Sequence, residues 1–320
     1  MDPVIKIIHQ LSQNYIFERV LKTETDLKAW LANGYYLINN PLKAFDKGKA
    51  KEFELVFQQT EHLYAALAND CNRFAQAAIE SMWCVGQIDK LPKSTGWATV
   101  QMYYSAFFAV HAILRIFGRA CTQLEDSHVR KVIQIASATN MGGDATKIES
   151  GFYISIINGS KIEYKKLQDS HADTWWSFSN LLTWILNELP NTTGLGEHKV
   201  KAAELISDIK SAISKSGASK GNWPSQIRNK INYQHSHGVW YPYKSALHVH
   251  EQILRNAEWL KNPESFDLNV RTNDVQFLFN LTNSILSLMY QLLKYGYERA
   301  GKVSDPLTNG AFRLLNQIQT

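Results

Sequence analysis

The stretch that decides the fold spans residues 97–117 and reads WATVQMYYSAFFAVHAILRIF. Its apolar side chains recur at helical spacing, and Gly118 follows as a residue that can close the helix in a left-handed conformation. The pattern predicts a long helix, and we interpret His111 as a residue of the core or of a groove rather than as a catalyst. Packing in the core is the interpretation for its aromatic face of Tyr103, Tyr104, Phe107 and Phe108.

Helical spacing continues on both sides of this stretch. Apolar residues from Phe53 to Met82 predict a first long helix that runs antiparallel to the second. A β-hairpin is predicted over residues 151–167, because alternating runs flank Asn158-Gly159, a dipeptide that suits a type I′ turn. Further helices are predicted over residues 2–22, 24–38, 124–138, 175–189, 199–214, 246–260 and 274–298.

The predicted fold is therefore all-α. We expect an up-and-down helical bundle with N- and C-terminal helical extensions and a small β-hairpin insertion. Residues 1–48 would form the N-terminal extension, and residues 49–270 the bundle, with the insertion at about 119–198. Residues 271–320 would form the C-terminal helix and tail.

Length and composition indicate a globular protein. The chain has 320 residues, of which 45% are apolar. Its three cysteines, Cys71, Cys84 and Cys121, form no CxxC pair, which favours a reducing compartment over a disulfide framework. The first residues lack the apolar core of a signal peptide, and residues 275–293 are too polar for a membrane span. We therefore expect a cytoplasmic protein that does not enter a membrane.

Positive charge is concentrated in residues 209–250. This segment has no Asp or Glu and six basic residues, so its charge of +6 exceeds the +5 of the whole chain. Such a segment attracts a polyanion. The basic residues are Lys210, Lys215, Lys220, Arg228, Lys230 and Lys244.

At the centre of the basic segment, residues 228–235 read RNKINYQH. Pro224 suits the first turn of a helix. If that helix continues, Arg228 and His235 lie about two turns apart and share a face with Asn232. An arginine can hold phosphate oxygens while charge develops on them, and a histidine can transfer a proton near neutral pH. This pair therefore suits the cleavage of a phosphodiester.

The same residues resemble the signature of HEPN-domain ribonucleases, which is an Arg, a polar residue that is often Asn, and a His further on. Here Asn229 follows Arg228, and six residues separate Arg228 from His235. The run Tyr103-Tyr104 with Phe107 is similar to the second helix of HEPN domains. The resemblance covers roughly residues 50–118 and 199–262, and it implies a HEPN-like bundle.

The resemblance implies metal-independent cleavage of RNA without a cofactor. His235 would transfer protons, Arg228 would clamp the phosphate, and Asn229 would orient it. Lys220, Lys230 and His237 would contact the RNA. His237 stands where some relatives have a tyrosine that a partner antitoxin modifies, so that control is in doubt for this chain.

The resemblance also implies partners and a cellular role. One motif per chain implies a homodimer with a composite cleft, and HEPN ribonucleases are frequent as bacterial toxins and anti-phage effectors, which implies an antitoxin or a defence-system partner. Two alternatives stay open. One is a non-catalytic helical module that binds RNA or protein. The other is a metal site at His235 and His237 or at His248 and His250, which is disfavoured because no acid or cysteine lies nearby.

Overall fold

The computed structural model describes residues 2–13, 16–18, 20, 26–38, 45–46, 49–57, 59–85, 95–139, 145–240, 258–260, 263–269 and 273–319. Its helices are α1 (Pro3–His9), α2 (Leu27–Asn33), α3 (Thr60–Val85), α4 (Gly96–Ile116), α5 (Asp126–Ala138), α6 (Ala172–Glu188), α7 (Gly196–Ile213), α8 (Trp223–Gln234), α9 (Asp274–Arg299), α10 (Asp305–Asn309) and α11 (Ala311–Gln319). Its strands are β1 (Tyr36–Ile38), β2 (Phe45–Asp46), β3 (Lys49–Ala50), β4 (Glu52–Phe57), β5 (Arg119–Leu124), β6 (Gly151–Asn158) and β7 (Lys161–Lys166).

Helix α4 is the centre of the molecule. It contacts α3, α6, α8 and α9, and most of its residues are buried. A helix that is apolar around its whole circumference has to be covered on all sides, and α4 meets this condition. Tyr103 and Phe107 lie in the core, while Tyr104 and Phe108 are half-buried at its edge. The predicted core helix is confirmed.

Five strands form an antiparallel sheet, which contradicts the predicted all-α bundle with one small hairpin. The strand order is β1-β4-β7-β6-β5. The β6–β7 hairpin is present as predicted, with Asn158 paired to Lys161 and Gly159 at φ 62°. It forms the middle of a larger sheet, because β5 pairs with β6 and β4 pairs with β7. The fold is therefore mixed α and β.

Strand β4 shows why the sequence pattern was misleading. Phe53, Val56 and Phe57 fit helical spacing, so the pattern assigns them to the first long helix. In the structure the apolar residues Phe53, Leu55 and Phe57 are buried and lie at every second position, which is the period of a strand. The phenyl ring of Phe53 stacks on Tyr164 of β7 at a centroid distance of 4.6 Å. Pairing with β7 therefore decided the structure of this short run, and α3 begins only at Thr60.

The two helices predicted near the N-terminus are shorter than expected. Helix α1 starts at Pro3, where the side chain of Asp2 accepts a hydrogen bond from the backbone of Val4, and it ends at His9. Helix α2 ends at Gly34, whose φ of 77° is a left-handed conformation. Strand β1 follows and pairs with β4. Within the described residues no helix has the length and apolar character required to cross a membrane.

Candidate functional site

Helix α8 carries the predicted motif, but it ends before the histidine. Pro224 lies in its first turn, and Arg228 faces inward while Asn229 and Lys230 are exposed. His235 follows the last helical residue with φ 48° and ψ 32°, and its N–H donates to the carbonyl of Lys230. The helical face predicted for Arg228 and His235 therefore stops one residue short of the histidine.

The side chain of Arg228 lies between α8 and α4. Only 8% of the residue is exposed, and its Cζ lies 5.3 Å from the ring centroid of Tyr103. Its buried Nε has no hydrogen-bond partner. A buried N–H without an acceptor costs free energy, so this guanidinium is left with an unused donor.

His235 lies on the surface beside Trp240. The two rings are 6.1 Å apart between centroids. Trp240 donates from Nε1 to the carbonyl of Ile231, and its indole lies so close to Gly96 that a methyl group at residue 96 would come within 2.6 Å of the ring. Among the described residues, no hydrogen bond, ion pair or ring contact joins Arg228 to His235. The structure thus places Arg228 in the interior and His235 on the surface, without a contact between their side chains.

The remaining residues that were predicted to contact RNA differ in exposure and in ion pairing. Lys230 is exposed, whereas the amine of Lys220 lies 4.0 Å from a carboxylate oxygen of Asp173. His237 is half-buried, and burial, together with Lys230, lowers the pKa of its imidazole against the opposing effect of Asp274. Of the basic segment, Lys244, His248 and His250 lie outside the described residues.

A chain of hydrogen bonds connects the surroundings of Arg228 to a different histidine. The hydroxyl of Tyr103 is 2.8 Å from Nδ1 of His171, and Trp175 donates from Nε1 to the same hydroxyl oxygen at 3.4 Å. Burial, followed by the positive charge of Arg228, lowers the pKa of His171, and burial raises the pKa of Tyr103. Arg228 therefore acts electrostatically on His171.

His171 was not predicted as a site residue, because only the tertiary structure brings it to Arg228. Its local position depends on two aspartates. Asp169 accepts from the backbone N–H groups of His171 and Ala172, and Asp173 accepts from those of Gln168 and Asp169. The sequence around it shows such helix-start chemistry but gives no sign of Arg228.

Next to His171 lies a cavity of about 520 Å³, here named the α3–α4 cavity. Its lining includes Asp70, Arg73, Phe74, His111, Arg115 and His171. Arg115 is 1% exposed and 3.5 Å from Asp70, which also pairs with Arg73 at 2.5 Å. His111 stacks on Phe74 at a centroid distance of 4.6 Å. A buried ion pair and two imidazoles thus meet in one cavity.

The backbone at His235 gives a testable consequence. His235 and His237 are two of the four described non-glycine residues with positive φ, a conformation that costs about 1–2 kcal/mol for an ordinary L-residue. We expect His235→Gly to be more stable to urea than His235→Ala by about 1 kcal/mol, because glycine adopts this conformation without strain. Equal midpoints for the two variants would show that the backbone is not strained there.

Comparisons with protein-family models, with curated proteins and with solved structures found no match to this chain.

Proposed function

We propose that the protein is a metal-independent endoribonuclease that binds RNA along α8 and cleaves it with Arg228 and His235. One observation carries the proposal: the fold leaves chemistry of both residues of the motif unused. Arg228 holds a buried N–H without a partner, and His235 is kept on the surface by a strained backbone. Strained backbone of this kind is concentrated at functional sites.

The charge of the segment supports RNA as the substrate. Residues 209–240 contain Lys and Arg but no Asp or Glu, and Asn229 and Lys230 project from the exposed side of α8. In the proposal Lys220, Lys230 and His237 hold the strand by its phosphates, and Asn229 orients the phosphate that is cleaved. A role as a bacterial toxin or anti-phage effector, with a restraining partner protein, belongs to the same proposal through the resemblance to HEPN ribonucleases.

The reaction uses the 2′-hydroxyl of RNA. Its oxygen attacks the neighbouring phosphorus, the bond to the 5′-oxygen breaks, and the products are a 2′,3′-cyclic phosphate and a 5′-hydroxyl. One proton leaves the 2′-hydroxyl and one is delivered to the 5′-oxygen, and His235 is the proposed group for this transfer. Arg228 stabilises the charge on the phosphate oxygens. A homodimer would place the motifs of two copies in one cleft.

The burial of Arg228 favours the alternative of a module that binds RNA or protein without cleaving it. A guanidinium that is 8% exposed presents little of itself to a phosphate in a single copy of the chain. The two functions predict different results for bound RNA: a ribonuclease cleaves it, whereas a binding module leaves it intact.

We expect the wild type to cleave labelled RNA in the presence of EDTA and to leave the matching DNA intact. His235→Ala and Arg228→Ala should each slow cleavage by about a hundredfold or more, because each removes a group that acts in the transition state. His235→Ala should still bind the RNA in a mobility-shift assay. His198→Ala and Arg130→Ala, which remove the same side-chain types from α7 and α5, should cleave normally.

Binding without cleavage by the wild type would establish the non-catalytic alternative. Loss of cleavage in His171→Ala but not in His235→Ala would transfer the proton-transfer role to His171 and overturn the assignment of His235. In growing cells, expression of the wild type should stop growth, whereas Arg228→Ala should not. Growth with both proteins would contradict the toxin role.

A further inference from the structure

The α3–α4 cavity contains hydrogen-bond donors that the protein does not use. Arg115 donates to the carbonyl of His111 at 3.0 Å, and its guanidinium lies 4.3 Å from the ring centroid of Phe74. Its Nε is buried and has no partner. Buried hydrogen-bond donors in folded proteins normally have an acceptor. Arg115 is 1% exposed and its Nε has no acceptor in the protein, so an acceptor on a bound ligand would explain this donor.

The imidazole of His111 has its proton on Nε2. Its Nδ1 lies 3.4 Å from a guanidinium nitrogen of Arg115, which can only donate. Burial, together with Arg115, His171 and Arg73, holds the pKa of His111 well below its usual value, so the ring is uncharged and carries its one proton on Nε2. The cavity thus adds one further N–H donor.

The carboxylates of the cavity are already satisfied by cations. Asp70 pairs with both Arg73 and Arg115, and Asp26 lies 3.7 Å from Arg73. Lys28 is the third cation of the lining, and it pairs with Glu125 at 3.0 Å. The lining therefore has three cations and two carboxylates, and both carboxylates are paired, which suits a ligand that accepts hydrogen bonds.

The rest of the lining is aromatic. Phe108 and Phe152 are half-buried, and the small side chain of Ala77 also lines the cavity. A volume of about 520 Å³ is in the range of sites that hold small molecules. Aromatic side chains favour a flat apolar body through contact with ring faces and edges.

We propose that the α3–α4 cavity binds a small organic oxyanion, namely a carboxylate or phosphate monoester attached to an aromatic ring. Arg115 and His111 donate to the oxyanion, Arg73 approaches it from the exposed side, and Phe108 and Phe152 contact the ring. This inference goes beyond the proposed function, because its ligand is a small molecule and its test contains no RNA.

Isothermal titration calorimetry of the full chain tests the proposal. Phenyl phosphate and benzoate are the probes, and they distinguish the two oxyanions. Benzylamine reverses the charge, and inorganic phosphate lacks the ring. We expect binding of phenyl phosphate, benzoate or both, at least tenfold weaker binding of inorganic phosphate, and no heat from benzylamine.

Two variants locate the binding. Ala77→Trp fills the cavity without removing a polar group and should abolish binding, and Arg73→Gln should weaken it about tenfold. Arg130→Gln removes an exposed arginine from α5 and should bind as the wild type does. The proposal is overturned if neither probe binds, if benzylamine binds as well as they do, or if the Ala77→Trp variant, folded by circular dichroism, binds unchanged. Cleavage of RNA by a protein that binds no probe would refute this inference and leave the proposed function intact.

Discussion

Replacing Asp70 with leucine is expected to lower the free energy of unfolding by about 3–5 kcal/mol. Asp70 and Arg115 are 2% and 1% exposed, and the carboxylate is the acidic partner of the guanidinium. Removal of that carboxylate leaves a positive charge in the interior without compensation. Its neighbour Phe74 stabilises the guanidinium only in part, because an aromatic face attracts a cation more weakly than a carboxylate does.

Urea unfolding of three variants separates this effect from the loss of ordinary contacts. Arg73→Ala removes the exposed partner of Asp70 and should cost less than about 1 kcal/mol. The double variant Asp70→Leu/Arg115→Leu should be more stable than Asp70→Leu alone, because no unpaired charge is left. An Asp70→Leu protein as stable as Arg73→Ala would show that the pair is not isolated from water.

Acidification should destabilise the protein through His9. Burial lowers the pKa of this imidazole from 6.5 to about 4, with a further contribution from the charge of Arg299. The ring packs between Phe17 and Tyr295. Between pH 6.5 and 4 the unfolded chain binds a proton that the folded chain does not, so the free energy of unfolding falls as the pH falls. The loss is about 1.4 kcal/mol per pH unit and about 3 kcal/mol by pH 4.

The measurement is the free energy of unfolding at several pH values between 7 and 4, for the wild type and for His9→Phe. Phenylalanine keeps a ring between Phe17 and Tyr295 but does not titrate. The difference between the two proteins should grow as the pH falls and then level off below pH 4. Parallel curves would show that His9 titrates in the folded protein as it does in the unfolded chain.

Strong local patterns made part of the fold predictable. Helix α4 follows from an apolar run at helical spacing whose side chains have to be buried. The β6–β7 hairpin follows from the turn residues Asn158-Gly159. The rest of the sheet did not follow, because β4 and β5 are six residues each and a run that short fits two periods. Their partners decide between those periods, and the partners lie far away in the sequence.

Part of the candidate site was also predictable from the sequence, and part was not. The basic segment and the helix that carries Arg228 follow from the sequence, whereas the burial of Arg228 against α4 does not. The left-handed backbone of His235 does not, because glycine or asparagine is the usual residue at such a helix end. His171 was missed for a different reason. It contacts Tyr103 and is influenced by the charge of Arg228 only after α4, α6 and α8 have packed together.

The close approach of Gly96 and Trp240 has a consequence for the evolution of the segment that contains Arg228 and His235. The indole is supported on one side by the start of α4 and touches His235 on another, so the absence of a side chain at residue 96 is a condition for the position of that imidazole. Descendants of this chain that acquire even an alanine there have to relocate the indole, and with it the histidine.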